Sequence, residues 1–105
     1  MMIKLKDESV KIDKLKESIK SKIFTLASIC KAIEGEKYIM TITSGNELTV
    51  KHMKGSKHYT GEAIDIRKLD MKNIKIVVEE IKEYLGSSYD VIEEKTHIHI
   101  EYDPK

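Results

Sequence analysis

Two short segments of alternating polar and apolar residues constrain the fold of this sequence more than any other feature. Residues 63–67 read Ala-Ile-Asp-Ile-Arg, and residues 96–102 read Thr-His-Ile-His-Ile-Glu-Tyr. Because successive side chains of a β-strand point to opposite faces, each segment is predicted to be a strand with an isoleucine face and a polar face. If the isoleucines of both strands pack against helices, Asp65, His97 and His99 lie together on the opposite face of one sheet.

The rest of the chain supplies helices and strands for a small α+β fold. Apolar residues at spacings of three and four predict a long amphipathic helix that begins after Asp13 as its N-cap and ends before Gly35. A second helix is predicted between Asp70, as its N-cap, and Gly86. Two further segments are rich in β-branched and aromatic residues and are predicted to be strands: 38–43 and 89–92. This order of elements predicts a small, mainly antiparallel sheet with helices packed on one face and a cleft on the other.

Composition narrows the possible function. The chain has 105 residues, of which 40% are hydrophobic and 35% are charged, a balance typical of one soluble domain over residues 1–105. A net charge of +1 provides no basic surface for nucleic acid. No apolar run approaches the length of a membrane span, and the charged N-terminus lacks the apolar core of a secretion signal. We expect a monomer made in the cytoplasm, with its one cysteine, Cys30, buried in the core.

The polar strand faces and the loop before them carry the residue types of a metal site. His58 lies in that loop, seven positions before Asp65, and Gly61 permits a tight turn between them. Two histidines and a carboxylate with one open coordination position are a known arrangement for catalytic zinc. The spacing alone is also compatible with His97 and His99 as an exposed pair that binds no metal. Burying Asp65 without a partner would, however, cost several kcal/mol.

The same residues resemble the signature of a known family. Residues 56–65 match S-x-H-x-x-G-x-A-x-D, which is typical of the zinc D-alanyl-D-alanine carboxypeptidase and L-alanyl-D-glutamate endopeptidase family. That family includes bacteriophage endolysins and shares its core fold with the hedgehog signalling domain. Its second motif, H-x-H on the last strand, is matched by His97-Ile98-His99. The filled positions of the first motif are Ser56, His58, Gly61, Ala63 and Asp65.

The resemblance implies a role for each of these residues. Zn²⁺ would be held by His58, Asp65 and His99, and His97 would be the catalytic residue that assists the attacking water or stabilises the intermediate. Some members instead use an acidic residue three positions before the ligand histidine. That residue would be Glu94 if His97 were the ligand.

One position departs from the family pattern. Many members carry an arginine shortly after a Ser-Gly pair, where it binds the substrate carboxylate or stabilises the oxyanion. Here Ser44 and Gly45 are followed by Asn46 and Glu47. A lysine or histidine further along the loop would act there only as a point charge. The residues expected to bind substrate or support the metal ligands are Ser56, Lys51, His52, Arg67 and Glu101.

The expected function is hydrolysis of an amide in the stem peptide of bacterial peptidoglycan. By analogy with the family, the enzyme would be encoded by a phage or prophage and would act at the cell wall. A non-enzymatic zinc domain of the same fold is the alternative, and the missing arginine motivates it. A metal-dependent nuclease is disfavoured because the chain is nearly neutral.

Overall fold

A five-stranded sheet organises the protein. The computed structural model describes residues 2–48 and 55–104. The strands are β1 Ile3–Leu5, β2 Met40–Ser44, β3 Ala63–Arg67, β4 Tyr89–Glu93 and β5 His97–Tyr102. Their order across the sheet is β1-β2-β3-β5-β4, with β1 and β2 parallel and every other neighbouring pair antiparallel. The prediction of an α+β fold with a mainly antiparallel sheet is therefore confirmed.

The predicted long first helix is wrong, because the chain forms two helices there. The helices of the protein are α1 Glu17–Lys20, α2 Ile23–Glu34 and α3 Ile74–Leu85. Asp13 caps neither of the first two. The Ser21 hydroxyl donates to the Glu17 carbonyl oxygen, so this side chain competes with the helical backbone at the break. Ile19 and Ile23 are nevertheless both buried, so the apolar stripe continues across a break that periodicity cannot detect.

Asp70 is not the N-cap of α3, although the helix ends before Gly86 as predicted. The N-cap residue is Asn73, whose side chain makes no capping hydrogen bond. Its backbone N–H donates instead to the Glu34 carboxylate at the end of α2, over 2.7 Å. Asp70 accepts a hydrogen bond from the Tyr38 hydroxyl at 2.8 Å. The start of α3 is thus fixed by a contact that is distant in sequence.

The core lies between the helices and one face of the sheet. The sheet contributes buried isoleucines from two adjacent inner strands, β3 and β5: Ile64, Ile66, Ile98 and Ile100. Cys30 is buried on α2, and burial, with the nearby acidic groups of Glu34 and Asp70, raises the pKa of its thiol to about 12. This is the structural role that its place in the apolar pattern predicts. Within the described residues, no helix has the length and apolar character needed to cross a bilayer.

Residues 6–16 connect β1 to α1 and lie across two loops; we call them the N-terminal strap. A Cβ added at Gly45 would meet the Lys11 carbonyl oxygen, and one added at Gly61 would meet that of Lys14, both at less than 3.0 Å. Only glycine allows the backbone to approach so closely. The strap therefore packs against the loop that follows β2 and the loop that precedes β3.

Replacing Gly61 with alanine is expected to destabilise the fold by at least twice as much as replacing Gly86. Both glycines have positive φ, at 78° and 79°, so each substitution carries a backbone penalty of about 1 kcal/mol. Only Gly61 also faces the strap, whereas no described atom lies within 4 Å of a Cβ at Gly86. Urea unfolding of both variants measures the difference, and equal losses would contradict the packing of the strap on Gly61.

Candidate metal centre

One row of paired residues crosses four strands and forms the centre of the site. Asp65 pairs with Ser44 on one side and with His99 on the other, and His99 in turn pairs with Ile92. Directly opposite residues place their side chains on the same face. The register of β2 shifts just before Ser44, and such bulges redirect side chains at strand ends. Asp65 and His99 thus lie side by side on the face that points away from the core.

His58 joins Asp65 and His99 from the loop before β3. Its Nε2 lies 3.3 Å from Asp65 Oδ2, and His99 Nδ1 lies 2.8 Å from Asp65 Oδ1. One potential ligand atom from each of the three residues lies within 4.8 Å of the other two. A metal bound tetrahedrally at 2.0–2.2 Å separates its ligand atoms by about 3.3–3.6 Å. This group, which is the predicted ligand set, could hold a metal ion.

Both histidines are oriented by a partner on the ring nitrogen that points away from Asp65. His58 Nδ1 donates to the Gly45 carbonyl oxygen at 2.9 Å, so its Nε2 faces the carboxylate. His99 Nε2 donates to Glu101 Oε1 at 2.7 Å, so its Nδ1 faces the same carboxylate. Metal-ligating histidines are commonly held in this way, by a carbonyl or carboxylate on the far nitrogen. A proton or a cation must lie between His99 Nδ1 and Asp65 Oδ1, since two lone pairs at 2.8 Å would repel.

Without a metal ion, Asp65 and His99 shift each other's pKa. Burial raises the pKa of the Asp65 carboxyl, but hydrogen bonds from His58 and His99 and the charge of His97 outweigh it, so this pKa lies well below its usual range. Burial lowers the pKa of His99, but its hydrogen bonds to Asp65 and Glu101 prevail and raise it to about 9. At neutral pH Asp65 is thus a carboxylate and His99 an imidazolium.

Metal uptake at pH 7 is expected to release about one proton, from His99 Nδ1, because a ligand nitrogen must be free of its proton. The apparent metal affinity should rise with pH between pH 7 and the His99 pKa of about 9. Calorimetric titration in two buffers of different ionisation enthalpy measures the proton count. Glu101→Gln is the matched control, since it removes one of the carboxylates that raise the pKa. Metal uptake without proton release at pH 7 would contradict this reading of the site.

His97 lies at the edge of the group. Its Nε2 is 3.6 Å from Asp65 Oδ2 and also 3.6 Å from Glu94 Oε1. Its Nδ1 lies 3.1 Å from the Thr96 hydroxyl. The two residues considered for catalysis, His97 and Glu94, are therefore neighbours, and His97 stands between Glu94 and the metal group.

Comparisons with known proteins do not extend the sequence resemblance. No family model, curated protein or solved structure matches this chain. Function is therefore inferred from the chemistry of the site itself. The geometry has brought together His58, Asp65 and His99, which come from a loop and two strands.

The remaining predicted residues have different positions. The Ser56 hydroxyl accepts a hydrogen bond from the backbone N–H of His58 at 3.1 Å and so supports the loop that carries this histidine. Arg67 pairs in register with His97 and is half-buried on the same sheet face. Glu101 contacts His99 as described above. Two predicted residues lie outside the described residues: Lys51 and His52.

Glu47 is a supporting residue that the sequence reasoning missed. Its carboxylate accepts hydrogen bonds from the Ser44 hydroxyl, from the Gly45 N–H at 2.8 Å and from the Lys11 N–H at 3.1 Å. Burial raises the pKa of Glu47, but these bonds outweigh it and the pKa is lowered. The spacing Ser-x-x-Glu, known from helix capping boxes, was the available signal. Glu47 thus positions Gly45, whose carbonyl orients His58. Through the Lys11 N–H it also connects the strap to the loop that follows β2.

Proposed function

We propose that this protein is a zinc-dependent peptidase that hydrolyses an amide bond in the stem peptide of peptidoglycan. The observation that carries the proposal is the convergence of His58, Asp65 and His99 beside a fourth polar residue, His97. Two histidines and one carboxylate leave a coordination position open for water or substrate. The resemblance of both sequence motifs to the zinc carboxypeptidase and endopeptidase family supports the choice of metal and substrate.

The side chains around the group suit proton transfer. Zinc held by His58, Asp65 and His99 would polarise the scissile carbonyl and make a water acidic enough to attack it. His97 is 28% exposed, so substrate can reach it, and its Nε2 is free of any close hydrogen bond within the described residues. It can take the proton of the attacking water and return it to the leaving amine. Glu94, 3.6 Å away, would stabilise the imidazolium that forms in between.

A non-enzymatic zinc domain is the second candidate, and one observation favours it. Where the resembled family has an arginine after the Ser-Gly pair, this chain has Asn46 and Glu47. The Glu47 carboxylate accepts hydrogen bonds from the backbone of Gly45 and of Lys11 in the strap. A site that kept its metal ligands without a substrate-binding cation would serve as a structural or binding module.

Metal analysis followed by digestion of cell walls tests the proposal. Elemental analysis of the purified chain should find about one zinc per molecule. Mass spectrometry of purified peptidoglycan, from walls of two cross-link chemistries, should then find new termini at one stem-peptide bond. A chelator should abolish the cleavage and added zinc should restore it, and an Asp65→Asn preparation serves as the control for contaminating hydrolases. Failure to take up metal would overturn the whole proposal. Metal without new termini on either wall would favour the non-enzymatic zinc domain.

A further inference from the structure

Two chains of hydrogen bonds connect the N-terminal strap to His58. The first runs through a single peptide group. Its carbonyl oxygen, that of Gly45, accepts a hydrogen bond from His58 Nδ1 at 2.9 Å. Its N–H belongs to Asn46 and donates to the Lys11 carbonyl oxygen at 2.7 Å. Because a peptide group is planar, the contact with the strap fixes the direction of the carbonyl that orients the His58 ring.

The second chain reaches the backbone of His58. The Gly61 N–H donates to the His58 carbonyl oxygen at 3.2 Å and closes a turn. The Lys16 N–H donates to the Gly61 carbonyl oxygen at 2.9 Å, so the strap holds this turn in place. The strap therefore acts on both the ring and the backbone of His58, although no strap residue belongs to the group that could bind the metal.

Asn46 also joins the strap through its side chain. Its Oδ1 accepts a hydrogen bond from the Lys14 N–H at 3.0 Å, and its Nδ2 donates to Asp13 Oδ1 at 3.3 Å. Together with the backbone bond to Lys11, one residue thus makes three hydrogen bonds to the strap. Because the N–H of Asn46 lies in the peptide group that orients His58, Asn46 transmits the position of the strap to the ring.

The middle of the strap is held mainly by these polar contacts. Val10 and Leu15 are buried, at 3% and 6% exposed, and anchor the strap in the core. Between these anchors, residues 11–14 are exposed apart from Ile12, which is half-buried. Segments with few buried apolar contacts open locally without global unfolding. Residues 11–14 can therefore detach from the loop that follows β2 while the core stays intact.

We infer that the N-terminal strap is a positioning element of the metal centre, and that Asn46 is the positioning residue through which it acts. While residues 11–14 are in place, the His58 ring is held with Nε2 toward Asp65. When they detach, the ring loses its fixed partner, can rotate, and binds metal less tightly. By thermodynamic linkage, a metal ion that requires this ring orientation also stabilises the strap. This role rests on the proposed function in one respect, the metal site, and is independent of peptide hydrolysis.

Amide hydrogen exchange of the unmodified chain, with and without zinc, tests the linkage. Three strap N–H groups donate to the loops around the metal centre: those of Lys11, Lys14 and Lys16. Zinc should slow their exchange about fivefold or more, although the strap supplies no ligand. The Gly35 N–H, which donates to the Lys31 carbonyl oxygen at the end of α2, is the control and should keep its rate, because helix ends fray independently. Unchanged exchange of all three strap amides in a chain that binds zinc would overturn the inference.

Asn46→Ala removes both side-chain bonds to the strap and should lower zinc affinity about three- to thirtyfold. Asn46→Asp combined with Asp13→Asn exchanges donor and acceptor between the two side chains, keeps the net charge and should restore the affinity to within about twofold. Asn73→Ala is the matched control and should keep the affinity, because the Asn73 side chain makes no capping hydrogen bond. Competition with a chromogenic chelator measures all three variants.

The ring of His58 gives a spectroscopic signal that a general loss of stability would not change. Long-range ¹⁵N–¹H NMR should find the proton of the unmodified chain on Nδ1. In Asn46→Ala this nitrogen signal should shift toward that of an imidazole in water. Gly86→Ala, which is strained at a position remote in sequence, should keep the signal and the zinc affinity of the unmodified chain. A fall in affinity that Gly86→Ala shares, or no fall in Asn46→Ala, would overturn the positioning role. Exchange in the unmodified chain decides the question if Asn46→Ala fails to fold.

The outcome is separable from that of the proposed function. A chain that binds zinc and protects its strap, but does not cleave peptidoglycan, would support the positioning role and count against the peptidase. Cleavage by a zinc-loaded chain whose strap is not protected would overturn the positioning role and leave the peptidase standing. A chain that takes up no zinc would overturn both.

Discussion

His97→Ala is expected to lower hydrolysis of a stem peptide about 10²- to 10⁴-fold while the chain keeps its zinc. His97 lies 3.6 Å from Asp65 but outside the group whose three ligand atoms converge. Its loss removes a proton carrier and leaves His58, Asp65 and His99 unchanged. The measurements are the turnover rate on a defined stem peptide and the zinc content per chain.

Glu94→Gln is the variant that separates the two readings of the catalytic residue. If His97 carries the proton, Glu94 acts only through His97. Glu94→Gln should then lower the turnover rate less than about tenfold, because an exposed charge pair has a small effect. If Glu94 carried the proton and His97 held the metal, Glu94→Gln would abolish turnover and His97→Ala would release zinc. Loss of zinc from His97→Ala is therefore the result that would contradict the proposed assignment.

Asp65→Asn is expected to weaken zinc binding by more than about a hundredfold. Asp65 contacts both His58 and His99, and replacement by an amide removes the charge that draws a cation to their near nitrogens. Mutation of a group that only orients a metal ligand lowers metal affinity about 10- to 100-fold. Glu101→Gln, which removes the carboxylate that orients His99, provides that comparison. Competition with a chromogenic chelator gives both affinities.

Thermal unfolding gives a second measurement of the Asp65 effect. A ligand that binds only the folded chain raises Tm by an amount that grows with the logarithm of its concentration above Kd. Zinc should therefore raise Tm of the unmodified chain, and Glu101→Gln should need a higher zinc concentration for the same rise. At the concentrations that suffice for the unmodified chain, zinc should leave Tm of Asp65→Asn unchanged. A zinc-dependent rise in Asp65→Asn as large as in the unmodified chain would show that the carboxylate is not a ligand.

The sequence was most informative where the period of a strand is visible in its isoleucines. Alternation alone placed Asp65, His97 and His99 on one face, because every second side chain in β3 and β5 had to enter the core. The same reasoning could not detect the break at Ser21 and Lys22, since buried residues keep their spacing on both sides of it. Periodicity reports which residues are buried, and it reports helix continuity only indirectly.

Contacts between distant segments account for most of what the sequence could not predict. Strand β1 has three residues and lies at the edge of the sheet, where pairing with β2 rather than local preference defines it. The start of α3 depends on Glu34, and the orientation of His58 depends on Gly45. The role of Glu47 likewise appears only when the strap has been placed over the loop.

The order of strands has a consequence for how metal binding is coupled to folding. Strand β5 follows β4 in the chain but lies between β3 and β4 in the sheet. His99 meets Asp65 only after β5 has paired with β3, a contact that is remote in sequence and slow to form. Metal binding should therefore suppress global unfolding of the sheet and not only local unfolding of the loop around His58. Amide hydrogen exchange should slow by a similar factor in β3, β4 and β5 when zinc is added. Protection confined to the loop around His58 would contradict this coupling.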